Sequence, residues 1–401
     1  MKILFLHRNF PGQFKFLAMA LAKDPANEVC FVTNNTATKT TARINKIIYK
    51  LKRDVPNDCH KYLRFYEDAI IHGQSAAEIL IQMKNQGYKP DIIYGHTWGT
   101  TLFVKDIFPD IPLICYFEWF YNAEGADVGF DGKPVDIDTR AKLRCKNSHL
   151  LLDLVNCDYG ISPTEWQKSQ FPKEFQHKIR VIHEGIDTEI CSPDENAEFK
   201  FKGKVFTRKD EVLTYATRGM EEYRGFPEFM KAVEKLQKTR PDLQVIIGGE
   251  DRVCYGRRLI NDTFKQKMLR ELDLDLSRIH FVGNLSYPEY IKLLQISRCH
   301  VYLTYPFVLS WSLLEAMSVG CCVVASDTAP VKEVIQDSFN GILTDFYNID
   351  LLAQKINSVL EEPEKYSNIR VSARKTIKEK YELQKLLKEQ IDFLNSCKIR
   401  A

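Results

Sequence analysis

The chain has 401 residues, of which 44% are hydrophobic and 27% are charged. This composition is that of a folded globular protein and excludes a chain that is mostly disordered. The 56 basic and 53 acidic residues leave a net charge of +3, which excludes the strongly basic surface of a dedicated nucleic-acid-binding protein. At about 150 residues per domain, the length predicts two domains.

The first half of the chain alternates apolar strands with helical segments. Strands are predicted at residues 2–6, 28–33, 91–94, 113–117 and 159–162. A turn containing Pro11-Gly12 precedes a helix over residues 14–22, and another helix is predicted to begin at Thr100. Because these strands are continuous apolar runs without alternation, we expect them to be buried on both faces, as in parallel sheets with helical crossovers.

A cationic stretch at residues 46–53 is interpreted as an edge strand with a solvated face. The alternative is a contact with anionic lipid at the inner face of a membrane. No apolar run reaches the roughly 18 residues of a membrane span. Eleven cysteines, none of them in a Cys-x-x-Cys pair, favour a reducing compartment. We therefore predict a cytoplasmic protein without disulfides or structural zinc, with peripheral membrane association as the alternative to a free protein.

The second half repeats the strand and helix alternation after a charged stretch. Strands are predicted at residues 212–217, 243–248, 278–282, 300–304 and 321–326, with helices between them and a mostly helical region from residue 351. The fold class is therefore α/β, with two doubly wound, Rossmann-like parallel-sheet domains. The predicted boundaries are a first domain at 1–190, a linker at 191–210, a second domain at 211–375 and a helical tail at 376–401 that crosses back to the first domain.

The most informative stretch runs from Tyr302 to Glu333. It predicts a strand, a loop and a helix whose N-terminus lies near Ser310, Trp311 and Ser312. Exposed N–H groups at that position suit a phosphate, and Glu315, about one turn into the helix, suits a ribose diol because a carboxylate accepts two hydroxyl hydrogen bonds. Open parallel sheets bind ligands at the carboxyl ends of their strands, so the expected site is an interdomain cleft.

This stretch resembles the donor-site signature of the retaining glycosyltransferases of family 4, which have the two-domain GT-B fold. The matching residues are Leu314-Glu315-Ala316-Met317, Gly320 and Val323-Val324-Ala325-Ser326. The resemblance implies that Glu315 binds the nucleotide ribose. The family has a first Glu eight positions earlier that contacts the donor sugar, and this chain has Phe307 there.

Two basic residues follow the strand at 212–217. Arg218 and Arg224 lie six positions apart in a loop with two glycines, which allow close approach of a ligand. Paired cations suit a diphosphate leaving group, whose charge grows as the glycosidic bond breaks. The resemblance places the family's phosphate-binding Arg and Lys at these two positions. The alternative is two surface arginines in an acidic loop beside Glu221 and Glu222.

Two glycine-containing turns complete the predicted donor site. Gly283-Asn284-Leu285 resembles the family loop that packs on the nucleotide base and binds it through backbone groups. Gly12 lies in the turn after the first strand, where the family places a loop near the phosphates and the acceptor. For both turns the alternative is an ordinary structural turn.

Three residues of the first half are acceptor-side candidates. His96 follows the strand at 91–94, and Glu118 follows the strand at 113–117 among aromatic residues. Glu118 is predicted either to bind sugar hydroxyls and act on an acceptor hydroxyl as a base, or to be an ion-paired core residue. Asp127 lies in a polar run at 125–131 that is interpreted as a mobile acceptor loop.

The residues and the resemblance together imply a glycosyltransferase that moves a sugar from a UDP- or GDP-linked donor to a glycan, lipid-linked or protein acceptor with retention of configuration. The basic pair replaces a metal, so no cofactor is predicted, and Asp136-Ile137-Asp138 is a chance match to the motif of metal-dependent enzymes. Domain closure would align donor and acceptor and exclude water. The alternatives are a non-catalytic nucleotide-sugar-binding or scaffold protein of the same fold and a nucleotide-sugar epimerase.

Overall fold

The structure is a computed structural model that describes residues 1–38 and 43–399. It divides into two compact units. The first unit comprises Met1–Gly185 and the residues from Gln384 onward, and the second comprises Ile186–Leu383. The last two residues of the predicted tail lie outside the described residues.

The first unit is built on a sheet of seven parallel strands in the order β3-β2-β1-β4-β5-β6-β7. The strands are β1 Lys2–Leu6, β2 Glu28–Thr33, β3 Ile44–Ile48, β4 Ile92–His96, β5 Leu113–Tyr116, β6 Tyr159–Ser162 and β7 Ile179–Val181. The predicted buried parallel strands are confirmed: the last four residues of β1 are fully buried because helices cover both faces of the sheet. The edge strand predicted within residues 46–53 is confirmed in part, because β3 lies at the edge of the sheet but ends at Ile48, and residues 49–53 are not in a strand.

Among the described residues, seven α-helices lie between these strands in the chain. They are α1 Lys15–Lys23, α2 Arg64–Asn85, α3 Val104–Ile107, α4 Ile137–Lys146, α5 Ser148–Asn156, α6 Glu165–Ser169 and α7 Lys173–Gln176. The predicted helix start at Thr100 is wrong, because turns occupy residues 100–103 and α3 begins at Val104. The long helix α2 was not predicted, although its buried residues Ala69, Ala76, Leu80 and Met83 recur at helical spacing.

The second unit contains a sheet of six parallel strands in the order β12-β11-β10-β13-β14-β15 and a two-stranded hairpin. The hairpin is β8 Glu198–Phe201 and β9 Lys204–Thr207, and the sheet strands are β10 Val212–Gly219, β11 Gln244–Glu250, β12 Ile279–Gly283, β13 Cys299–Tyr302, β14 Val323–Ser326 and β15 Ile342–Thr344. The two doubly wound parallel sheets of the predicted fold class are therefore confirmed.

The predicted linker at residues 191–210 is wrong, because these residues belong to the second unit and contain the β8–β9 hairpin. Phe199 and Phe206 pair across the hairpin and are buried against Val212 and Leu293. The hairpin turns at Lys202 and Gly203, both with positive φ. The charged residues of this stretch lie on the exposed side of the hairpin and hid its alternation in the sequence.

The helices of the second unit are α8 Phe226–Thr239, α9 Phe264–Glu271, α10 Tyr287–Gln295, α11 Trp311–Ser318, α12 Ala329–Lys332, α13 Ile349–Glu361 and α14 Ser367–Lys380. The last helix, α15 Leu383–Ile399, packs in the first unit. Arg180 donates to Glu389 at 3.0 Å, and Gln390 donates to the backbone oxygen of His183 at 3.2 Å. Within the described residues, no helix combines the length and the apolar character needed to cross a membrane.

Buried histidines are unevenly divided between the units. Five lie in the first unit, His7, His72, His96, His149 and His183, and two lie in the second, His280 and His300. Burial lowers the pKa of all seven, to about 3 for His7 and His96 and to about 4 for His72, His149 and His300. Because their folded-state pKa lies below the unfolded value of about 6.5, these side chains are neutral in the folded protein.

We predict that the first unit opens at a higher pH than the second on acidification. Below pH about 6.5 the unfolded chain binds protons at these histidines, whereas the folded chain does not. The free energy of unfolding is therefore highest above that pH and decreases as the pH falls towards 4. Asp153 changes the free energy of unfolding in the opposite direction, because burial raises its pKa to about 7. It is a single group, whereas five buried histidines act in the other direction. Pulse-labelling hydrogen exchange after incubation between pH 7 and pH 4 measures both units separately. Loss of protection in the second unit first would contradict the prediction.

Candidate functional site

Both parallel sheets reverse their strand order at a central pair of strands. In the first unit the reversal lies between β1 and β4, and in the second it lies between β10 and β13. Ligands of open α/β sheets bind outside the carboxyl ends of the strands at such a reversal. The loops that follow these four strands carry most of the candidate residues.

A histidine lies at the carboxyl end of each central strand of the first sheet. His7 comes directly after β1 and His96 ends β4, and their ring centroids are 4.6 Å apart. Burial, and for His7 also the neighbouring His96, lowers the pKa of both to about 3, so both rings are neutral near pH 7. His7 Nδ1 accepts from the Asn9 N–H at 2.8 Å. This bond assigns the ring proton of His7 to Nε2.

A chain of hydrogen bonds runs from His7 to Glu118. His7 Nε2 donates to Gln13 Oε1 at 2.8 Å, and Gln13 Nε2 donates to Glu118 Oε1 at 3.0 Å. The other carboxylate oxygen, Oε2, lies 3.6 Å from His96 Nε2, which is longer than a hydrogen bond. Glu118 is 22% exposed, whereas the two histidines are fully buried. The structure therefore brings the predicted residues His96 and Glu118 together and orients the carboxylate through Gln13.

Gly12 has a steric role beside this chain. Its φ is +54°, and a Cβ atom at this position would lie 2.6 Å from His7 Nε2. The turn therefore needs glycine both for its backbone conformation and for the room that the imidazole occupies. The predicted role of Gly12 in donor binding stays a prediction.

Asp127 is buried in the turn region after β5 and lies beside Lys146. Burial lowers the pKa of Lys146 to about 8, and the Asp127 charge opposes that shift. The ammonium group lies 3.4 Å from the ring centroid of Tyr121 and 4.3 Å from that of Phe65. The predicted acceptor loop thus contains a buried carboxylate close to a cation that is held between aromatic rings.

In the second unit, Arg224 is buried at the end of a short 3₁₀ helix, Glu222–Arg224. Its Nη1 donates to Thr304 Oγ1 at 2.8 Å and to the Val308 backbone oxygen at 3.3 Å. Within the described part of the chain, it forms no ion pair with a carboxylate. Its hydrogen-bond partners are therefore neutral. Burial opposes its charge, but the charge of the buried Glu221 carboxylate also acts on it and raises its pKa. A guanidinium that has hydrogen bonds only to neutral groups can still form a stronger, charge-assisted bond to an anion.

Arg218 lies on β10, one residue before its carboxyl end, and is exposed. Among the described residues it makes no ion pair. The alternative that both arginines lie at the surface is therefore wrong for Arg224, which is buried, whereas Arg218 is indeed exposed. The two cations differ in character, because one is fixed by hydrogen bonds and the other is solvated.

The predicted helix N-terminus is confirmed. Helix α11 begins at Trp311, and the Ser310 side chain caps it by accepting from the Ser312 N–H at 3.3 Å. Glu315 is 9% exposed and accepts from the Tyr287 hydroxyl at 2.9 Å. Burial and the Glu315 charge raise the pKa of Tyr287, so its hydroxyl keeps the proton that it donates.

The turn Gly283-Asn284-Leu285 lies at the carboxyl end of β12, the edge strand of the second sheet. Gly283 has φ +71°, and no atom lies within 4 Å of the Cβ position, so the turn is open on that side. Asn284 is exposed and Leu285 is half-buried. The position fits recognition of a base through backbone groups, which stays a prediction.

Phe307 is buried in a group of aromatic rings. Its ring centroid lies 5.7 Å from that of Tyr223 and 5.3 Å from that of Tyr255. Sequence reasoning missed Tyr255 and also Glu221, whose carboxylate is fully buried. In the sequence, both residues stand close to glycines after a strand, and ordinary polar loops have the same pattern.

Asp136 and Asp138 have structural roles. Asp136 caps α4 by accepting from the Thr139 N–H at 2.6 Å, and Asp138 pairs with Lys61 and Tyr62. Over residues 1–38 and 43–399, no group of three His, Cys, Asp or Glu side chains is arranged to hold a metal ion.

We predict that Gly12→Ala destabilises the first unit more than Gly125→Ala does. Both glycines have positive φ, but nothing lies within 4 Å of a Cβ at Gly125. Both variants incur about 1–2 kcal/mol of backbone strain, and only Gly12→Ala adds about 1–3 kcal/mol of overpacking against His7. Denaturant unfolding measures the difference. Equal losses would show that the imidazole yields to the methyl group.

The chain matches two sequence families in succession. Residues 25–191 match the Glycosyl transferase family 4 group, and residues 196–376 match Glycosyl transferases group 1. An uncharacterized glycosyltransferase of Methanocaldococcus jannaschii is 26% identical over 238 residues, which cover 58% of this chain and 57% of that protein. Glycogen synthase of Mycobacterium tuberculosis is 21% identical over 284 residues, which cover 70% and 62%. The chain spans less than two thirds of the length of both relatives.

Solved structures show the same fold at low sequence identity. The crystal structure of Anabaena HepE in complex with UDP-glucose has a TM-score of 0.73 and 16% identity, over 99% of this chain and 100% of that chain. Sucrose-phosphate synthase of Thermosynechococcus elongatus has a TM-score of 0.72 and 12% identity, over 100% of both chains. With one family match in each half and this fold, the chain belongs to the group 1, family 4 glycosyltransferases of the GT-B fold.

Proposed function

We propose that this glycosyltransferase moves a sugar from a nucleotide-sugar donor to an acceptor hydroxyl, with retention of configuration and without a metal. The observation that carries the proposal is the environment of Arg224. This cation is buried at the strand-order reversal of the second sheet, and its hydrogen-bond partners are neutral. A diphosphate would supply the negative charge that these partners lack.

The donor side of the proposal uses the second unit. Arg218 and Arg224 bind the diphosphate, the capped N-terminus of α11 adds N–H groups, and Glu315 accepts from the ribose hydroxyls while Tyr287 holds its carboxylate. The turn at Gly283 contacts the base. HepE, which shares the fold, was crystallised with UDP-glucose, and this supports a nucleotide diphosphate sugar as the donor class.

The chemical step breaks the bond between the anomeric carbon and the diphosphate oxygen. Negative charge develops on the departing diphosphate, where the two guanidinium groups stabilise it. The acceptor oxygen attacks the same face that the diphosphate leaves, and the departing phosphate takes the hydroxyl proton, so configuration is retained. No carboxylate nucleophile is needed. Glu118, oriented by Gln13, accepts a hydrogen bond from the acceptor hydroxyl and places its oxygen.

A non-catalytic nucleotide-sugar-binding protein is the second candidate. Phe307 favours it, because this buried aromatic ring replaces a carboxylate that the family uses to contact the sugar. This candidate predicts donor binding without release of nucleotide under any condition, whereas the transferase predicts slow release even without acceptor.

We predict that Arg224→Ala and Arg218→Ala each lower the rate of nucleotide release or transfer by about 10²-fold, the scale for one preorganised charge contact. The measurement uses a panel of UDP-, GDP-, ADP- and dTDP-sugars with calorimetry and nucleotide release. Arg270→Ala, which removes an exposed arginine paired with Asp262, is the matched control and should be neutral. A double variant with full turnover would refute the role of the pair.

We predict that Glu118→Gln lowers transfer to an acceptor by about 10- to 100-fold, the effect of losing one charged hydrogen bond. Nucleotide binding and acceptor-independent donor hydrolysis should stay unchanged, because Glu118 belongs to the acceptor side. Glu124→Gln, a change at an exposed carboxylate paired with Arg140, is the control. Equal losses of hydrolysis and transfer in Glu118→Gln would place the residue at the donor instead.

A further inference from the structure

A loop at residues 252–258 follows β11 and is fixed by a buried carboxylate. Glu221 is fully buried, and its two oxygens accept backbone N–H groups from three successive residues: Cys254 at 3.1 Å, Tyr255 at 2.9 Å and Gly256 at 2.7 Å. Burying a carboxylate is costly unless hydrogen bonds replace its water. Three such bonds satisfy Glu221 and hold the loop backbone in one position.

Glycines on both sides allow this loop to pack closely. A Cβ atom at Gly219, the last residue of β10, would lie 2.5 Å from the Arg252 backbone oxygen. A Cβ atom at Gly256 would lie 3.0 Å from the ring of Tyr223. The loop therefore lies directly against the strand end and the short helix that carry Arg218 and Arg224.

The loop at residues 252–258, which Glu221 holds in place, carries one aromatic residue, Tyr255. Tyr255 is 42% exposed, yet its ring centroid lies 5.1 Å from the Arg224 guanidinium carbon and 5.3 Å from the Phe307 ring centroid. The distance to Arg224 is within the range of a cation–π interaction. Phe307 contacts the ring of Tyr255, so the residue that departs from the family pattern helps to position it.

The guanidinium of Arg224 is thus restrained in two ways. Its Nη atoms bond to Thr304 and Val308, and Tyr255 both lies over it and hydrogen-bonds to it through its side chain. A ring in this position keeps water from part of the cation, and charge interactions strengthen where water is excluded. An anion that meets Arg224 then finds a guanidinium whose orientation is already set.

We propose that Tyr255, held by Glu221 and Phe307, is a positioning residue that orients Arg224 for the diphosphate of a nucleoside diphosphate. This proposal depends on the proposed function in one respect, namely that Arg224 binds the diphosphate. It assigns roles to Glu221 and Tyr255. It also gives a physical reason for Phe at position 307, because a glutamate there would not make the ring contact with Tyr255.

The test is calorimetric binding of UDP, GDP, UMP and GMP to the full chain and to single variants. Tyr255→Leu should weaken binding of UDP or GDP by about 3- to 30-fold, the range of a cation–π contact, and should affect the monophosphates less. Tyr255→Phe, which keeps the ring but removes the hydroxyl that also hydrogen-bonds Arg224, should weaken binding less than Tyr255→Leu does. Tyr347→Leu is the matched control, because Tyr347 is a tyrosine of similar exposure, 44%, whose hydroxyl bonds to Tyr305.

Glu221→Gln tests whether the Glu221 carboxylate holds the loop at residues 252–258 in place. It should weaken diphosphate binding as Tyr255→Leu does and should raise amide exchange at residues 254–256. The double variant should be no weaker than the worse single variant, because both changes remove the same restraint. If Glu221→Gln does not fold, Tyr255→Leu and Phe307→Leu carry the test, and Phe307→Leu should also weaken diphosphate binding.

The outcomes separate the two proposals. If Arg224→Ala binds UDP and GDP as well as the parent protein does, the proposed function of that site fails. If Arg224→Ala weakens binding but Tyr255→Leu does not, the proposed function stands and this inference is overturned. Equal weakening by Tyr255→Phe and Tyr255→Leu would also overturn it, since the ring would then not be the part that acts.

Discussion

Parallel pairing of all strands in the seven-stranded and six-stranded sheets is the constraint on which the rest of this structure depends. In each unit it directs all carboxyl ends to one edge, and the reversal of strand order opens that edge beside the two central strands. Residues far apart in the sequence, such as His7 and His96, or Arg224 and Thr304, meet only because their strands are central neighbours. The chemistry of each unit is therefore a property of two loops rather than of one motif.

The two edges carry opposite kinds of polar environment. The first unit has neutral histidines and amide groups that fix a single partly exposed carboxylate, Glu118. The second has a buried guanidinium with neutral partners and a solvated Arg218. An electron-rich hydroxyl acceptor suits the first environment and a polyanionic leaving group suits the second. In the transfer reaction that we propose, each unit would bind one substrate.

The sequence was sufficient to predict the elements whose signal is local. The buried strands and the helix that begins at Trp311 follow from apolar runs and a serine cap. The hairpin at Phe199 and Phe206 was missed because charged residues alternate with its apolar ones, and α2 was missed because small residues form much of its buried face. Glu221, Gln13 and Tyr255 could not be predicted. Their roles depend on contacts with residues 31 or more positions away, or on which ring nitrogen of His7 holds a proton.

The packing of α15 in the first unit makes that unit discontinuous along the chain. Its last helix pairs with Arg180 and His183 and places Phe393 against Tyr159, yet residues 186–383 of the other unit separate them in sequence. During vectorial synthesis from the N-terminus, the second unit can therefore finish folding before the first one does. Until α15 emerges, the edge strand β7 lacks these contacts, so the nascent first unit is the part that most needs protection from aggregation.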